Sequence, residues 1–329
     1  MKNPDTDMLA KAVDRVFAAD VYEGLTASQK FLPSKYLYDQ RGDAIFQEIM
    51  AMDAYYPTRS EHEIFSLHKE EMLHHFGAND QKFQLIEFGA GDGTKTKVLL
   101  QYFWEQSSGL TYVPIDISAN IIQELTKDLK ETLPGLKVRG ICNDYFKAFD
   151  ELASAEDPTL RKVVLFLGAN IGNFNQEESV DFLQRIAHHL SPGDLLMIGF
   201  DLKKNPERIL NAYFDQGGVT KSFKLNLLQR MNRELGATFD PTTFQYFPIY
   251  HPAEGSILSY LVSTVDQEVR IEAIDCTIHF DAWETIYMER SQKYSEKDIR
   301  QLAEKTGFEV VQSFFDTQHY FTDSLWSVK

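Results

Sequence analysis

An α/β fold, with a parallel sheet covered by helices on both faces and a smaller α+β unit after it, is predicted by three features of the chain. Strand candidates alternate with amphipathic helices through the middle, a closely spaced run of strand candidates follows, and a glycine-rich turn joins the first alternating strand to its helix. At 329 residues, 43% apolar and 25% charged, the chain can build one large domain or two smaller ones.

The first stretch, to about Arg59, carries a helix through residues 12–17. An aromatic segment, Phe31-Leu-Pro-Ser-Lys-Tyr-Leu-Tyr-Asp39, and then Tyr55-Tyr-Pro-Thr-Arg59 follow, with Pro33 and Pro57 marking loop. The second stretch has apolar strands at 85–88, 112–115, 138–142, 163–167 and 195–200, with helices near 95–102, 119–129 and 177–190. The third has helices near 206–214 and 219–235, then strand candidates from 243 to 289, which suggest an antiparallel unit. A helix with Ser295 as N-cap, Asp298 three residues on and Gly307 as its stop precedes a strand pair around 310–315 and 324–328. That pair is expected to return to the first sheet.

A net charge of −16 argues against a surface that tracks nucleic acid or an anionic membrane, and favours small-molecule or protein partners. Cys142 and Cys276 sit in strand-like apolar runs and read as buried thiols of a reducing compartment, so the expected location is cytoplasmic. The N-terminal segment has no apolar leader, and no run approaches the roughly 18 apolar residues of a membrane span.

Glu87-Phe-Gly-Ala-Gly-Asp-Gly-Thr94 follows a strand and opens a helix, where glycines let a ligand approach the backbone at a sheet's carboxyl edge. Its glycines are Gly89, Gly91 and Gly93, and Thr94 stands where a dinucleotide fingerprint needs its third glycine. Lys95 follows Thr94, so the order of a Walker loop is also broken. Taken alone, the loop could be a plain tight turn. Asp116, at the end of the next strand, can accept from both ribose hydroxyls, although an aspartate there is more often a helix cap. Asn143-Asp144-Tyr145 ends the strand after that. Glycine, acid and polar-aromatic at consecutive strand ends suit a nucleoside without a pyrophosphate.

At this point the sequence resembles the S-adenosylmethionine-dependent histidine Nα-methyltransferases that open ergothioneine biosynthesis. The resemblance rests on Leu32-Pro-Ser-Lys-Tyr-Leu-Tyr-Asp39, Tyr55-Tyr-Pro-Thr-Arg-Ser-Glu61, the glycine loop, Phe166-Leu-Gly-Ala-Asn-Ile-Gly-Asn173, Asn232-Arg-Glu-Leu235 and Glu289-Arg-Ser291. It implies a class I methyltransferase Rossmann-like sheet, residues 62–201 plus 290–329, with a discontinuous α+β substrate-binding domain from 1–61 plus 202–289. It also implies S-adenosyl-L-methionine contacts at Tyr38, Gly89, Gly91, Lys95, Asp116, Asp144 and Tyr145. The substrate's amine and carboxylate would meet Tyr55, Gly168, Asn173 and Tyr213, and its imidazole Glu289 and Ser291. Tyr38, Tyr55 and Asn173 are the candidates for acting at the reacting nitrogen. A methionine that lines the ring in well-known members aligns with Ser259, which leaves a ring nitrogen or another amino acid open as methyl acceptor.

These residue types suit the chemistry. Displacement at a sulfonium methyl needs alignment above all, for which positioning supplies roughly 7 to 11 kcal/mol, and no metal or covalent intermediate. An α-ammonium loses its proton more readily in a drier pocket. Tyrosines offer phenol donors to a carboxylate and ring faces to a cation. Glu289 and Ser291, two apart on a strand, point the same way and match the two nitrogens of one imidazole. Against this, tyrosine-rich loops are more often packing hubs, and Glu289 would ordinarily be a solvated strand residue. His74-His75 and His188-His189 diverge by about 100° on their helices and make poor metal sites. A catalytically silent nucleoside-binding protein is the reading from another class.

Overall fold

The computed structural model describes residues 4–77, 82–106, 109–153 and 160–329. The chain opens with α1 (Pro4–Thr26), a 3-10 turn at Ser34–Leu37 and α2 (Gln40–Ala51). Then come α3 (Tyr56–Phe76), β1 (Phe83–Phe88), α4 (Thr96–Glu105), β2 (Thr111–Asp116) and α5 (Ala119–Thr132). Two short strands, β3 (Lys137–Val138) and β4 (Ile141–Cys142), precede α6 (Tyr145–Ala153), β5 (Arg161–Phe166), α7 (Gln176–His189) and β6 (Leu195–Asp201). After α8 (Pro206–Tyr213) and α9 (Val219–Leu235) run β7 (Phe244–His251), β8 (Ser256–Ser263), β9 (Gln267–Ile271), β10 (Cys276–Phe280) and β11 (Thr285–Gln292). The chain closes with α10 (Glu296–Lys305), β12 (Phe308–Phe315) and β13 (Phe321–Val328).

These elements form two compact units, residues 1–55 with 204–291, and residues 56–203 with 292–329. The second unit holds an eight-stranded sheet in the order β12-β13-β6-β5-β1-β2-β3, with β4 beside β2. Strands β1, β2, β5 and β6 run parallel. The chain end does return to this sheet: β13 lies antiparallel on β6, and β12 antiparallel on β13. All six residues of β1 are buried, as a central parallel strand requires. Its alternate side chains feed two cores. Ile86 and Phe88 pack with residues of α6, α7 and α10, whereas Phe83 and Leu85 pack with those of α3, α4 and α5.

The first unit has its own core, in which Phe223, Leu227 and Met231 of α9 meet Phe17, Val21 and Leu25 of α1 and inward residues of the strands. The expected antiparallel run divides into a three-stranded sheet, β11-β8-β7, and the hairpin β9–β10.

Several local expectations need correction. The segment around Pro57 is no loop: α3 begins at Tyr56, and Pro57 sits in its first turn, where a missing N–H costs nothing. The second unit therefore takes in residues 56–61. The strand expected over 138–142 breaks into β3 and β4, which pair with separate parts of β2. The cysteines are not both buried: Cys142, at the end of short β4, is exposed, and Cys276, opening β10, is half-buried. Apolar neighbours in sequence did not carry either thiol inside. The capping box of Ser295 with Asp298 forms as its spacing suggests, and Asn175 with Glu178 makes a second one at the start of α7. Among the described residues no helix is long and apolar enough to cross a membrane.

Candidate functional site

Strand order places the first cluster. In the second unit β1 is flanked by β2 on one side and β5 on the other, so the connections leaving the carboxyl ends of β1 and β5 diverge. Ligands of open α/β sheets bind at such a switch point. The glycine loop leaves β1 there, and Gly168 to Asn173 leave β5.

In the loop, Gly91 has φ +54°, and a Cβ built on it would meet nothing within 4 Å, so the backbone lies open to a ligand. The Gly91 N–H donates to Asp116 Oδ2 at 3.3 Å, and the Ser118 N–H to Oδ1 at 3.0 Å. Asp116 is not the helix cap; Ser118 caps α5, leaving the carboxylate acceptor capacity for a diol. Ile117, next along, is 72% exposed and offers apolar surface beside that carboxylate, a feature the residue types alone did not single out. Tyr145 stacks on Phe88 at 4.6 Å and 7°, and its hydroxyl lies 3.2 Å from a Cβ built at Gly89. Burial, and then the Asp116 carboxylate, push its phenol up to about 12. Asp144 caps the next helix through the Lys147 N–H at 3.0 Å and pairs with the Lys147 ammonium at 2.9 Å. An open glycine backbone, a carboxylate with spare acceptor sites and an apolar neighbour fit a nucleoside cofactor.

Beneath this loop lies a buried ionic network. Lys95 is bonded to Glu61 of α3, whose other oxygen accepts the Gly168 N–H at 2.7 Å. Burial opposes the Lys95 charge, but Glu61, with Glu87 and Asp323 behind it, outweighs that and raises its pKa. Asp323 of β13 is fully buried. Desolvation first, and the Glu61 carboxylate second, push its carboxyl well above the usual range. Glu87 accepts from Thr96 Oγ1 at 2.6 Å and from the Tyr112 hydroxyl, and burial raises its pKa to about 7. Glu61 closes the Tyr55–Glu61 motif but was given no role there, and Asp323 and Tyr112 were not singled out in the sequence, because nothing local marks them as partners of this network.

The β5 loop ends in the 3-10 turn Asn170–Asn173, entered through Ala169 at φ 58°. Gly172 is required by contact: a Cβ there would stand 2.8 Å from the Gln292 carbonyl oxygen. This fit holds the turn with the Asn173 side chain exposed.

The second cluster lies in the first unit. Tyr38 contacts Phe46 and Phe223 edge-on at 5.5 and 5.4 Å, and Tyr55 stands 6.4 Å from both Phe46 and Tyr213. The Tyr213 hydroxyl and Ser291 Oγ share a hydrogen bond of 2.8 Å. On the same strand Glu289 is bonded to Lys224 of α9, and the Tyr246 hydroxyl shares a 3.2 Å bond with Ser259 Oγ. Glu289 is thus no solvated strand residue. Desolvation, then Glu289, raise the Tyr38 phenol well above its ordinary value although 38% of the residue is accessible. The structure therefore gathers Tyr38, Tyr55, Tyr213, Ser259, Glu289 and Ser291 in one unit, and adds Lys224 and Tyr246. Gly89, Gly91, Lys95, Asp116, Asp144, Tyr145, Gly168 and Asn173 lie in the other.

Comparison with known proteins gives these two clusters a context. The model of the family described as histidine-specific, SAM-dependent methyltransferases matches residues 17–328. The chain belongs to that family. It is 35% identical over 275 residues to the histidine N-alpha-methyltransferase of Mycobacterium tuberculosis, covering 84% of this chain and 83% of that one. It is 34% identical to the protein of the same name from Mycolicibacterium smegmatis, over 91% of this chain and 89% of that one. The ergothioneine biosynthesis protein 1 of Schizosaccharomyces pombe is 30% identical over 87% of this chain, which spans 37% of that longer protein. The protein is a SAM-dependent methyltransferase with a class I, Rossmann-like sheet, and its cofactor is S-adenosyl-L-methionine.

Proposed function

We propose that this methyltransferase transfers methyl groups to the α-amine of free L-histidine, up to the trimethylated product. The observation that carries the reading is the joining in one unit of the tyrosines 38, 55 and 213 with Glu289 and Ser291, a carboxylate and a hydroxyl two residues apart on β11. Family membership and the names of the mycobacterial relatives support it.

The cofactor, when bound, supplies a methyl group on a positively charged sulfur. The chain's residues do the rest. Asp116 and the open Gly91 backbone orient the nucleoside, with Gly89, Lys95, Asp144 and Tyr145 completing its surroundings. Gly168 and Asn173 serve the amino-acid head, where Asn173 accepts from the amine without fixing its charge. Tyr55 and Tyr213 donate to the carboxylate, and Tyr38 offers a ring face to cationic groups. No group here is needed as a strong base, because a desolvated ammonium loses its proton more readily. Residues 56–203 with 292–329 act as the cofactor domain and the remainder as the substrate domain. The strongly acidic chain acts on a small molecule, without nucleic acid or membrane, in the cytoplasm where free amino acids and cofactor are at hand.

Incubation with methyl-labelled cofactor and each of the twenty amino acids tests this. Label is expected on histidine, and fragmentation of the product places it on the α-nitrogen; no transfer to histidine overturns the reading. The Tyr246–Ser259 pair makes the ring surroundings polar, which favours a second reading, methylation of a ring nitrogen or of another amino acid. The same fragmentation separates it.

A further inference from the structure

Lys224 projects from α9 into the core of the first unit with its side chain 2% exposed, and its ammonium is bonded to Glu289, itself 13% exposed. Its ammonium lies 4.9 Å from the Phe223 ring. A lysine is brought into such a setting only where an anion compensates it, and the pair carries no net charge. Glu289 is the carboxylate assigned above to the imidazole, so the inference rests on that histidine reading.

We infer that Lys224 determines which form of the substrate ring is accepted, making Glu289 a reader of neutral imidazole and excluding imidazolium. An unpaired buried carboxylate would favour the charged ring. With an ammonium already on that carboxylate, a second cation meets a like charge in a dry site. Hydrogen-bond types agree: a neutral imidazole has one donor and one acceptor. Glu289 can only accept, and the Ser291–Tyr213 hydroxyl pair, in which either oxygen can be the donor, can turn a proton toward the second nitrogen.

The groups around Glu289 do not supply a competing switch. Tyr38, with Tyr55, Asp43 and Tyr213 about it, is held protonated by desolvation and by the Glu289 carboxylate. Tyr246, near Tyr213 and Asp215, is likewise raised by burial despite its bond to Ser259. Burial opposes the Asp215 charge, but bonds from Thr220 and Val219 hold its carboxyl below the usual range. Phenols and carboxylates ordinarily titrate outside about pH 5.5 to 8, whereas free imidazole titrates near 6.5. The substrate ring is what changes charge.

The test compares KM for histidine with KM for 1,2,4-triazol-3-ylalanine, whose ring stays uncharged, between about pH 5.5 and 8. The analogue cancels effects on the amine and carboxylate. In the native enzyme the histidine-to-analogue KM ratio should rise about tenfold per pH unit below the ring pKa. In Lys224→Gln and Lys224→Met, checked for folding by thermal melting and for binding of S-adenosylhomocysteine, the ratio should flatten or reverse. Histidine turnover with a flat native ratio overturns the Lys224 inference alone, as does a folded variant that keeps the native slope. If neither variant folds, the native ratio decides. Absence of histidine turnover at every pH overturns the histidine reading itself.

Discussion

The two clusters are held by different forces. Around the cofactor loops of the second unit, three carboxyl groups (Glu61, Glu87 and Asp323) are buried, and a lysine, hydroxyls and a backbone N–H bond to Glu61 and Glu87. Around β11 of the first unit, hydroxyl pairs and an aromatic wall surround the buried Lys224–Glu289 ion pair. The first arrangement fixes backbone, because Glu61 holds both the Lys95 side chain and the Gly168 amide. The second presents side chains whose hydrogen-bond roles can turn to suit a ligand.

The contrast can be broken most severely at Glu61. Replacing it by alanine leaves Lys95 and the Gly168 N–H without their partner, and should cost about 3 kcal/mol of stability in urea unfolding. A loss under about 1 kcal/mol would mean that the network does not hold the loops. Next comes Glu87, whose folded-state pKa of about 7 stands above its ordinary 4.5. A carboxyl raised on folding contributes most when protonated, so its contribution is full below about pH 4.5 and is lost as pH rises to about 7. Relative to Glu87→Gln, the native protein should lose about 3 kcal/mol across that window and hold constant above it. A pH-independent difference would show that Glu87 is ionised throughout. The smallest effect belongs to the adaptable side. Ser291→Ala removes one hydrogen bond to Tyr213 and should leave stability within about 1 kcal/mol, while raising KM for histidine by roughly threefold to tenfold with cofactor affinity unchanged. Loss of cofactor binding in that variant would erase the distinction.

Much of the fold is legible because it is written in local periodicity. The alternation of apolar strands and amphipathic helices, the capping residues Asn175 and Ser295, and the glycines of the loop all act over a few residues. The failures are equally physical. Pro57 reads as a breaker until α3 is seen to start one residue before it, and Cys142 reads as buried until β4 proves to be only two residues long.

The sequence by itself determined the sheet, the nucleoside-type loop with Asp116, and the residue types offered to an amino acid, since each is set by neighbours in the chain or by a compact motif. Only the tertiary structure decided which buried charges meet. Lys95 finds Glu61 across 34 residues and Lys224 finds Glu289 across 65. Such pairs form because a charge leaving water must take whatever counter-charge the packed core brings to it, and no local pattern records which one that is.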